Sequence, residues 1–283
     1  MTWQLYTIIS VLALSSSVLL QKVLLSKFKS DPYAYAVVFQ GLVGVLLMIF
    51  ALLVDFKLPG IQDVIVPVIV SVVAFGLGHI VYAKTLQVVE ASAFSVLFAT
   101  QAIWIMLLGI LLFNETLTIL QIIGAIVIFC SVGLLVKNIK ELKLDRGTLL
   151  GLLTGLLFGV AITAWSYVGR HTDGTSWAAI SFIGTSLVAF LARPQSAKHM
   201  SKLFRSKVLL SLGVLTVFYA IGSLTMLYAY KEGAFSIVTP LRQSSIIITT
   251  LLALLFISTE RNRIKRKLVA AALCFIGVLL IVV

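Results

Sequence analysis

The sequence predicts an all-α integral membrane protein of about ten transmembrane helices, arranged as two inverted five-helix repeats. The first observation is composition: 60% of the 283 residues are hydrophobic and only 11% are charged, whereas a soluble domain carries roughly 25% charged residues. The second is that the apolar residues fall in runs of about 20, the length a helix needs to cross ~30 Å of hydrocarbon. The third is a weak internal repeat.

Charges, prolines and turn clusters separate ten predicted spans, taken in order along the chain. The first half is predicted to contain spans 5–25, 33–54, 64–86, 92–113 and 118–136. The second half is predicted to contain spans 147–169, 175–192, 208–230, 233–257 and 267–283. Several connections are only a few residues long, so consecutive helices are expected to be antiparallel neighbours.

The repeat is visible when the chain is compared with itself. Matching residues lie 141 to 144 positions apart and include Gly41 with Gly184, Gly78 with Gly222, and Cys130 with Cys274. We therefore divide the chain into a first repeat (1–138), a basic linker (139–146) and a second repeat (147–283). An odd number of helices in each half inverts the second copy, which is the usual construction of carriers that work by alternating access.

The net charge of +12 comes from lysines and arginines in short loops beside apolar spans. Of the 22 basic residues, 18 fall on one predicted side and three on the other. The positive-inside rule then places the basic loops in the cytoplasm and both termini outside, in a multi-pass protein of the cell membrane. Membrane lipids are the expected partner of these charges and nucleic acid is not.

The residues from Ile110 through Glu115 to Gly124, continuing to Gly133, resemble the fourth and fifth helices of EamA-like members of the drug/metabolite transporter superfamily. The second half repeats the pattern imperfectly, with Glu260 and Gly277. The resemblance covers essentially the whole chain and implies ten helices and transport of a small molecule. Helix four lacks the proline that family members often carry. They are also usually described with cytoplasmic termini, opposite to the charge-based orientation.

Arg242 is the strongest candidate for substrate binding. It lies about eight residues into the ninth predicted span, roughly 12 Å deep at 1.5 Å per residue, where a guanidinium is costly unless paired or wetted. Thr239 and Ser245 share its helical face, Gln243 is adjacent, and Pro240 removes a backbone bond nearby. We interpret this stripe as a cavity wall on which Arg242 binds a carboxylate or phosphate; the alternative is a snorkelling or structurally paired arginine.

Gln101 is the repeat equivalent of Arg242, and Phe98 and Trp104 lie on its stripe. Facing Arg242, such a wall would suit a zwitterion or anion with an apolar body, such as an amino acid. The alternative is that these aromatic side chains face lipid or pack between helices.

Four further candidates carry polar or aromatic groups into predicted spans. They are His79 and Tyr82 in helix three, Trp165 in helix six and Tyr219 in helix eight. His79 is expected to contact substrate or pass on a proton, or alternatively to bond a neighbouring helix. Glu115 and Glu260, like Pro240, are predicted to have structural roles.

All ten acidic residues fall at helix ends or in loops. A midplane carboxylate, which a proton-coupled exporter of cations typically needs, is therefore not expected. The sequence contains no metal, cofactor or catalytic motif, so an enzyme is not expected. The predicted function is a secondary transporter of a small metabolite, and the alternative is a lipid flippase or a membrane scaffold. The sequence leaves a homodimer open, and both cysteines are expected to be buried fillers.

Overall fold

The computed structural model describes residues 2–27, 30–58, 60, 64–113, 118–135, 145–232, 238, 241–242, 244–257 and 263–282. Within these ranges the regular structure is helical and no strand occurs. The helices of the first half are α1 (Trp3–Lys27), α2 (Pro32–Val54), α3 (Ile65–Val88), α4 (Ala91–Phe98), α5 (Gln101–Phe113) and α6 (Ile119–Leu135).

The second half continues with six further helices. They are α7 (Arg146–His171), α8 (Gly174–Ala192), α9 (Ala197–Met200), α10 (Ser206–Glu232), α11 (Ser245–Phe256) and α12 (Ile264–Val282). Seven helical stretches among the described residues are long and apolar enough to cross a membrane: α1, α2, α3, α4 with the first part of α5, α7, α8 and α10. The chain is thus a multi-pass membrane protein, while α6 and α11 are apolar but shorter.

Aspartates begin three of these helices by capping them. The Asp31 carboxylate accepts hydrogen bonds from two backbone N–H groups of α2, while Asp145 and Asp173 each accept one at the start of α7 and α8. A carboxylate at this position satisfies N–H groups that have no partner within the helix. Capping accounts for the position of these three aspartates at the span ends.

The fourth predicted span is broken, although the sequence predicted one helix over 92–113. At Ala99 and Thr100 the backbone makes tighter bonds, with Thr100 N–H donating to the Leu97 carbonyl at 3.2 Å. The Thr100 hydroxyl donates to the same carbonyl at 2.7 Å. A threonine that bonds its own backbone competes with the helix, so the helix is interrupted here without proline.

Four helix pairs form the main packing between the two halves: α1 with α10, α2 with α8, α3 with α7, and α6 with α12. Each pair is antiparallel. In the first pair, Tyr6 of α1 stacks on Tyr228 of α10. Ser10 lies later in α1 and donates a hydrogen bond to the carbonyl of Gly222, which lies earlier in α10. Glycines allow such close approach, as in membrane helix pairs generally.

The same contact recurs in two of these pairs. A Cβ on Gly222 would lie 2.8 Å from the Leu14 side chain, between α10 and α1. A Cβ on Gly78 would lie 3.1 Å from the Phe158 ring, between α3 and α7. Position 222 is 144 residues after 78, and position 158 is 144 residues after 14. The first contact is therefore matched by a second at the repeat-related positions.

Most of the described basic residues near helix ends lie at one end of the helix bundle, which we call the basic end, whereas Lys57 after α2 lies at the other. At the basic end the α2 cap Asp31 lies 3.8 Å from Arg193 after α8, and Lys84 near the end of α3 donates to the Tyr33 hydroxyl at 3.0 Å. Lys267 at the start of α12 also lies at this end, against Glu90. The end where α1 begins and α12 finishes is called the opposite end.

The two cysteines differ in burial, so the prediction that both are buried fillers is wrong for one of them. Cys274 is buried against the first half, with its sulfur 3.8 Å from the Val96 carbonyl, whereas Cys130 is exposed on α6. The outward face of a membrane helix meets lipid, where a weakly polar thiol needs no burial in protein.

Candidate functional site

A cavity of about 770 Å³ lies between the two halves of the bundle. Its lining comes from α1, α3, α4, α5, α7, α8, α10 and α11, with single residues from α2, α6 and α12. Central clefts between helices are where membrane carriers and helical bundles commonly hold ligands.

Arg242 lines this cavity, together with Ser245 and Thr249 of α11. Tyr219 of α10 lines the same cavity. The lining therefore contains a positive charge together with hydroxyl groups. Of the other residues proposed for this region, Thr239, Pro240 and Gln243 lie outside the described residues, as do Glu115 and Glu260.

His79 lies on an adjacent wall and is almost fully buried. Its Nδ1 pairs with Gln40 Nε2 at 3.0 Å, so the imidazole is held by α2. The ring is surrounded by aromatic side chains, of which Phe158 is nearest with centroids 4.9 Å apart. Because His79 also lines the cavity, bonding to a neighbouring helix and facing a ligand are compatible roles.

Gln101, Phe98 and Tyr82 line the first-half wall of the cavity. Gln101 is the first residue of α5, directly after the break between α4 and α5. Phe98 packs edge-on against Phe158 with centroids 4.9 Å apart and against Tyr82 at 5.8 Å.

Trp104 departs from the prediction that it shares this wall. Trp104 is not part of the described lining and instead contacts α7. A Cβ added to Gly159 of α7 would lie 2.6 Å from the Cβ of Trp104. Trp104 therefore packs between helices instead of facing the cavity.

Trp165 of helix α7 lines the cavity and is fixed by a hydrogen bond from its Nε1 to the Ser181 hydroxyl at 3.0 Å. The neighbouring hydroxyls of Thr163 and Ser166 also face the cavity, although Thr163 already donates to the Gly159 carbonyl at 2.9 Å. This wall offers an aromatic surface with few free donors.

Gln40 is a cavity residue that the sequence interpretation missed. It is the single amide among the described side chains of α2, an otherwise apolar helix, and that isolation was the available signal. Phe158 was missed too, because a phenylalanine in an apolar span has no distinguishing mark.

The cavity lining described here contains no aspartate or glutamate. Arg242 is its single formally charged residue among the described positions, with His79 and His171 as the titratable neighbours. No group of three metal-binding side chains occurs in the described part of the chain. The electrostatics of the site therefore favour a ligand with an anionic group.

The cavity stops short of the basic end. Its lining ends at buried Gln21, Tyr82 and Phe94, and these are tied together by hydrogen bonds and ring contacts. Gln21 donates to the Tyr82 hydroxyl at 3.4 Å and accepts from the Tyr35 hydroxyl at 3.1 Å.

Charged side chains lie beyond this barrier. Lys22 donates to the carbonyls of Leu86 and Val89 at 2.7 and 2.6 Å, which joins α1 to the end of α3. Lys267, with 6% of its side chain exposed, lies 2.5 Å from Glu90, which joins the second half to the first. At the opposite end the lining reaches Gln121 and the exposed His171.

Comparison with known proteins identifies the class. The sequence profile of the EamA-like transporter family matches the chain twice, over residues 1–137 and 145–283. An uncharacterized protein of Methanocaldococcus jannaschii is 25% identical over 139 residues, which are 49% of this chain and 97% of that protein. A crystal structure of another protein superposes with a TM-score of 0.57, covering 98% of this chain and 96% of that one, at 14% identity, and so shares the fold.

The chain belongs to the EamA-like transporter family. It is therefore a membrane transporter of the drug/metabolite type, and members of this family are transporters rather than enzymes. The two matches are separated by residues 138–144.

Proposed function

We propose that this protein is a secondary transporter that moves a small solute bearing a carboxylate or phosphate through the central cavity by alternating access. The observation that carries the proposal is Arg242, which lines a cavity with no described acidic residue. A guanidinium in such a site attracts a carboxylate or phosphate by its charge and can donate two parallel hydrogen bonds to a pair of its oxygens.

The mechanism rests on two five-helix repeats of inverted orientation. Three observations support them: the profile that matches twice, a relative about half as long as this chain, and the recurring contacts of Gly78 and Gly222. Antiparallel pairing of α2 with α8 and α6 with α12 is what an in-plane two-fold axis requires of equivalent helices. The cavity between the halves can then be exposed to either side when one half rocks against the other.

The orientation we propose places the basic end in the cytoplasm and both termini outside. Its support is the gathering of basic residues at one end, where they meet anionic lipid headgroups. In this conformation the cavity is closed toward the cytoplasm, and we infer that solute reaches it from the opposite end.

The test is flux into proteoliposomes with a panel of labelled carboxylates, amino acids and phosphate esters. We expect uptake of at least one anionic or zwitterionic solute, and its loss in Arg242→Met. Arg193→Met is the matched control, because Arg193 lies at the basic end with half of its side chain exposed, and it should retain flux. Unchanged flux in Arg242→Met would remove the site assignment, and no flux of any solute would remove the function.

A further inference from the structure

Two buried amide oxygens in the cavity have no hydrogen-bond partner among the described residues. They are Oε1 of Gln40 and Oε1 of Gln101. The side chains are 0% and 4% exposed, and both residues line the cavity. A buried carbonyl oxygen without a donor is costly, and native proteins rarely keep one without a reason.

The orientation of the Gln40 amide accounts for its free oxygen. Its Nε2 is used by His79 Nδ1 at 3.0 Å, so Oε1 is left for another donor. Rotating the amide by half a turn would free Nε2 instead, so one polar atom of this group remains available in either orientation.

Aromatic faces surround the same space. Phe98, Tyr82 and Phe158 contact one another near Gln101, with centroid separations of 4.9 to 5.8 Å. Ring faces attract ammonium groups, and amide oxygens accept their hydrogen bonds. Together they can hold a protonated amine without a carboxylate, and none of the described lining residues is acidic.

We propose that Gln40 and Gln101 are specificity-determining residues that accept hydrogen bonds from an amino group of the solute. The transported solute is then a zwitterion, with its anionic group at Arg242 and its ammonium group at the two amide oxygens. This inference rests on the proposed function and narrows its substrate class from anions in general to amphoteric solutes.

The experiment compares two probes that differ only in the amino group, phenylalanine and 3-phenylpropanoate, in proteoliposomes. The wild-type protein is expected to take up phenylalanine about tenfold faster, since one hydrogen bond to a charged donor is lost with the amine. Gln40→Met and Gln101→Met keep the length of the side chain and remove the acceptor, so each should lower this ratio toward one. Gln87→Met is the control, because Gln87 bonds the Ser30 carbonyl at the basic end and should leave the ratio unchanged.

A second measurement needs no substitution. N,N,N-trimethylphenylalanine keeps the positive charge but has no N–H group, and it should compete with phenylalanine about tenfold more weakly at the wild-type protein. Equal competition would assign amine recognition to the aromatic faces alone and overturn the role of the glutamines.

The two proposals fail in different ways. If 3-phenylpropanoate is transported in an Arg242-dependent manner and phenylalanine is no better, this inference is wrong and the proposed function stands. An unchanged probe ratio in both Gln→Met variants also overturns it. If neither probe moves, the inference falls, and the wider solute panel decides the function separately.

Discussion

The two ends of the helix bundle are held together by different contacts. At the basic end, charged side chains join helices that are distant in sequence. Lys22 of α1 donates a hydrogen bond to a carbonyl of α3, and Lys267 of α12 forms an ion pair with Glu90. At the opposite end, α6 and α12 meet through bare backbone, since a Cβ on Gly124 would lie 2.5 Å from the Gly277 carbonyl. Charge pairs can be exchanged for water when an end opens, whereas the glycine contact brings two backbones together without any charged group. The comparison identifies the basic end as the one closed by separable contacts.

The first prediction concerns sidedness, where the largest effect is expected. In a Cys130→Ser background, Ser166→Cys places a thiol in the cavity and Ser26→Cys places one at the basic end of α1. A bulky impermeant maleimide should label position 166 much faster from outside the cell than from the cytoplasmic side, and position 26 from the cytoplasmic side only. Cys274 is buried and should stay unlabelled. Labelling of position 166 from the cytoplasmic side alone would reverse the comparison.

The second prediction weakens the closure of the basic end. Glu90→Gln, combined with Ser166→Cys, should raise labelling of the cavity thiol from the cytoplasmic side by about tenfold, which corresponds to the loss of ~1.4 kcal/mol. The charge-swapped pair Glu90→Lys with Lys267→Glu should restore the original rate. A rate that is unaffected by either change would show that the apolar barrier alone closes this end.

The third prediction examines the glycine contact at the opposite end. Gly124→Ala introduces a methyl group against the backbone of α12, and overpacking of this kind costs about 1–3 kcal/mol. Gly133→Ala in the same helix is the matched control, because a Cβ there meets nothing within 4 Å. The thermal unfolding midpoint in detergent should fall for the first variant and stay level or rise for the second. Equal midpoints would mean that the helices separate at this point without cost.

The fourth prediction, with the smallest effect, uses an exposed ion pair at the opposite end. Asp55 and Lys57 lie 2.8 Å apart with most of each side chain exposed, so Asp55→Asn should leave stability and cavity labelling unchanged. The hydrogen bond that Lys57 donates to the Asp55 carboxylate raises the pKa of Lys57, and the substitution should lower that pKa. NMR of the methylated lysine measures this change, and an unaltered pKa would mean that the pair does not form in solution.

Much of the fold followed from the sequence because hydrocarbon imposes a span length. The predicted limits of α2 and α8 agree with the structure within one residue at each end, and Asp31 and Asp173 mark where those helices begin. The broken fourth span was missed because a threonine that bonds its own backbone also occurs in unbroken helices. Trp104 was misplaced because spacing along one helix does not decide which side chains face the cavity and which face a neighbouring helix.

The sequence predicted several residues of the candidate site but not the contacts that those residues make. Arg242, Gln101, His79 and Tyr219 attracted attention as polar groups within apolar spans, and all four line the cavity. Gln40 was overlooked, although its importance lies in its contact with His79, which is 39 residues away. The assignment of all these residues to a solute stays a prediction until flux is measured.

The sequence by itself determined the membrane environment, the helix limits set by capping aspartates and the clustering of positive charge beside certain spans. These are properties of single segments, because hydropathy, capping and loop charge act over one helix. Only the tertiary structure decided that Lys267 meets Glu90, that Gly124 meets Gly277, and that two glutamine oxygens are buried without a partner. Helical periodicity gives each residue a face, but packing between distant helices decides what that face meets.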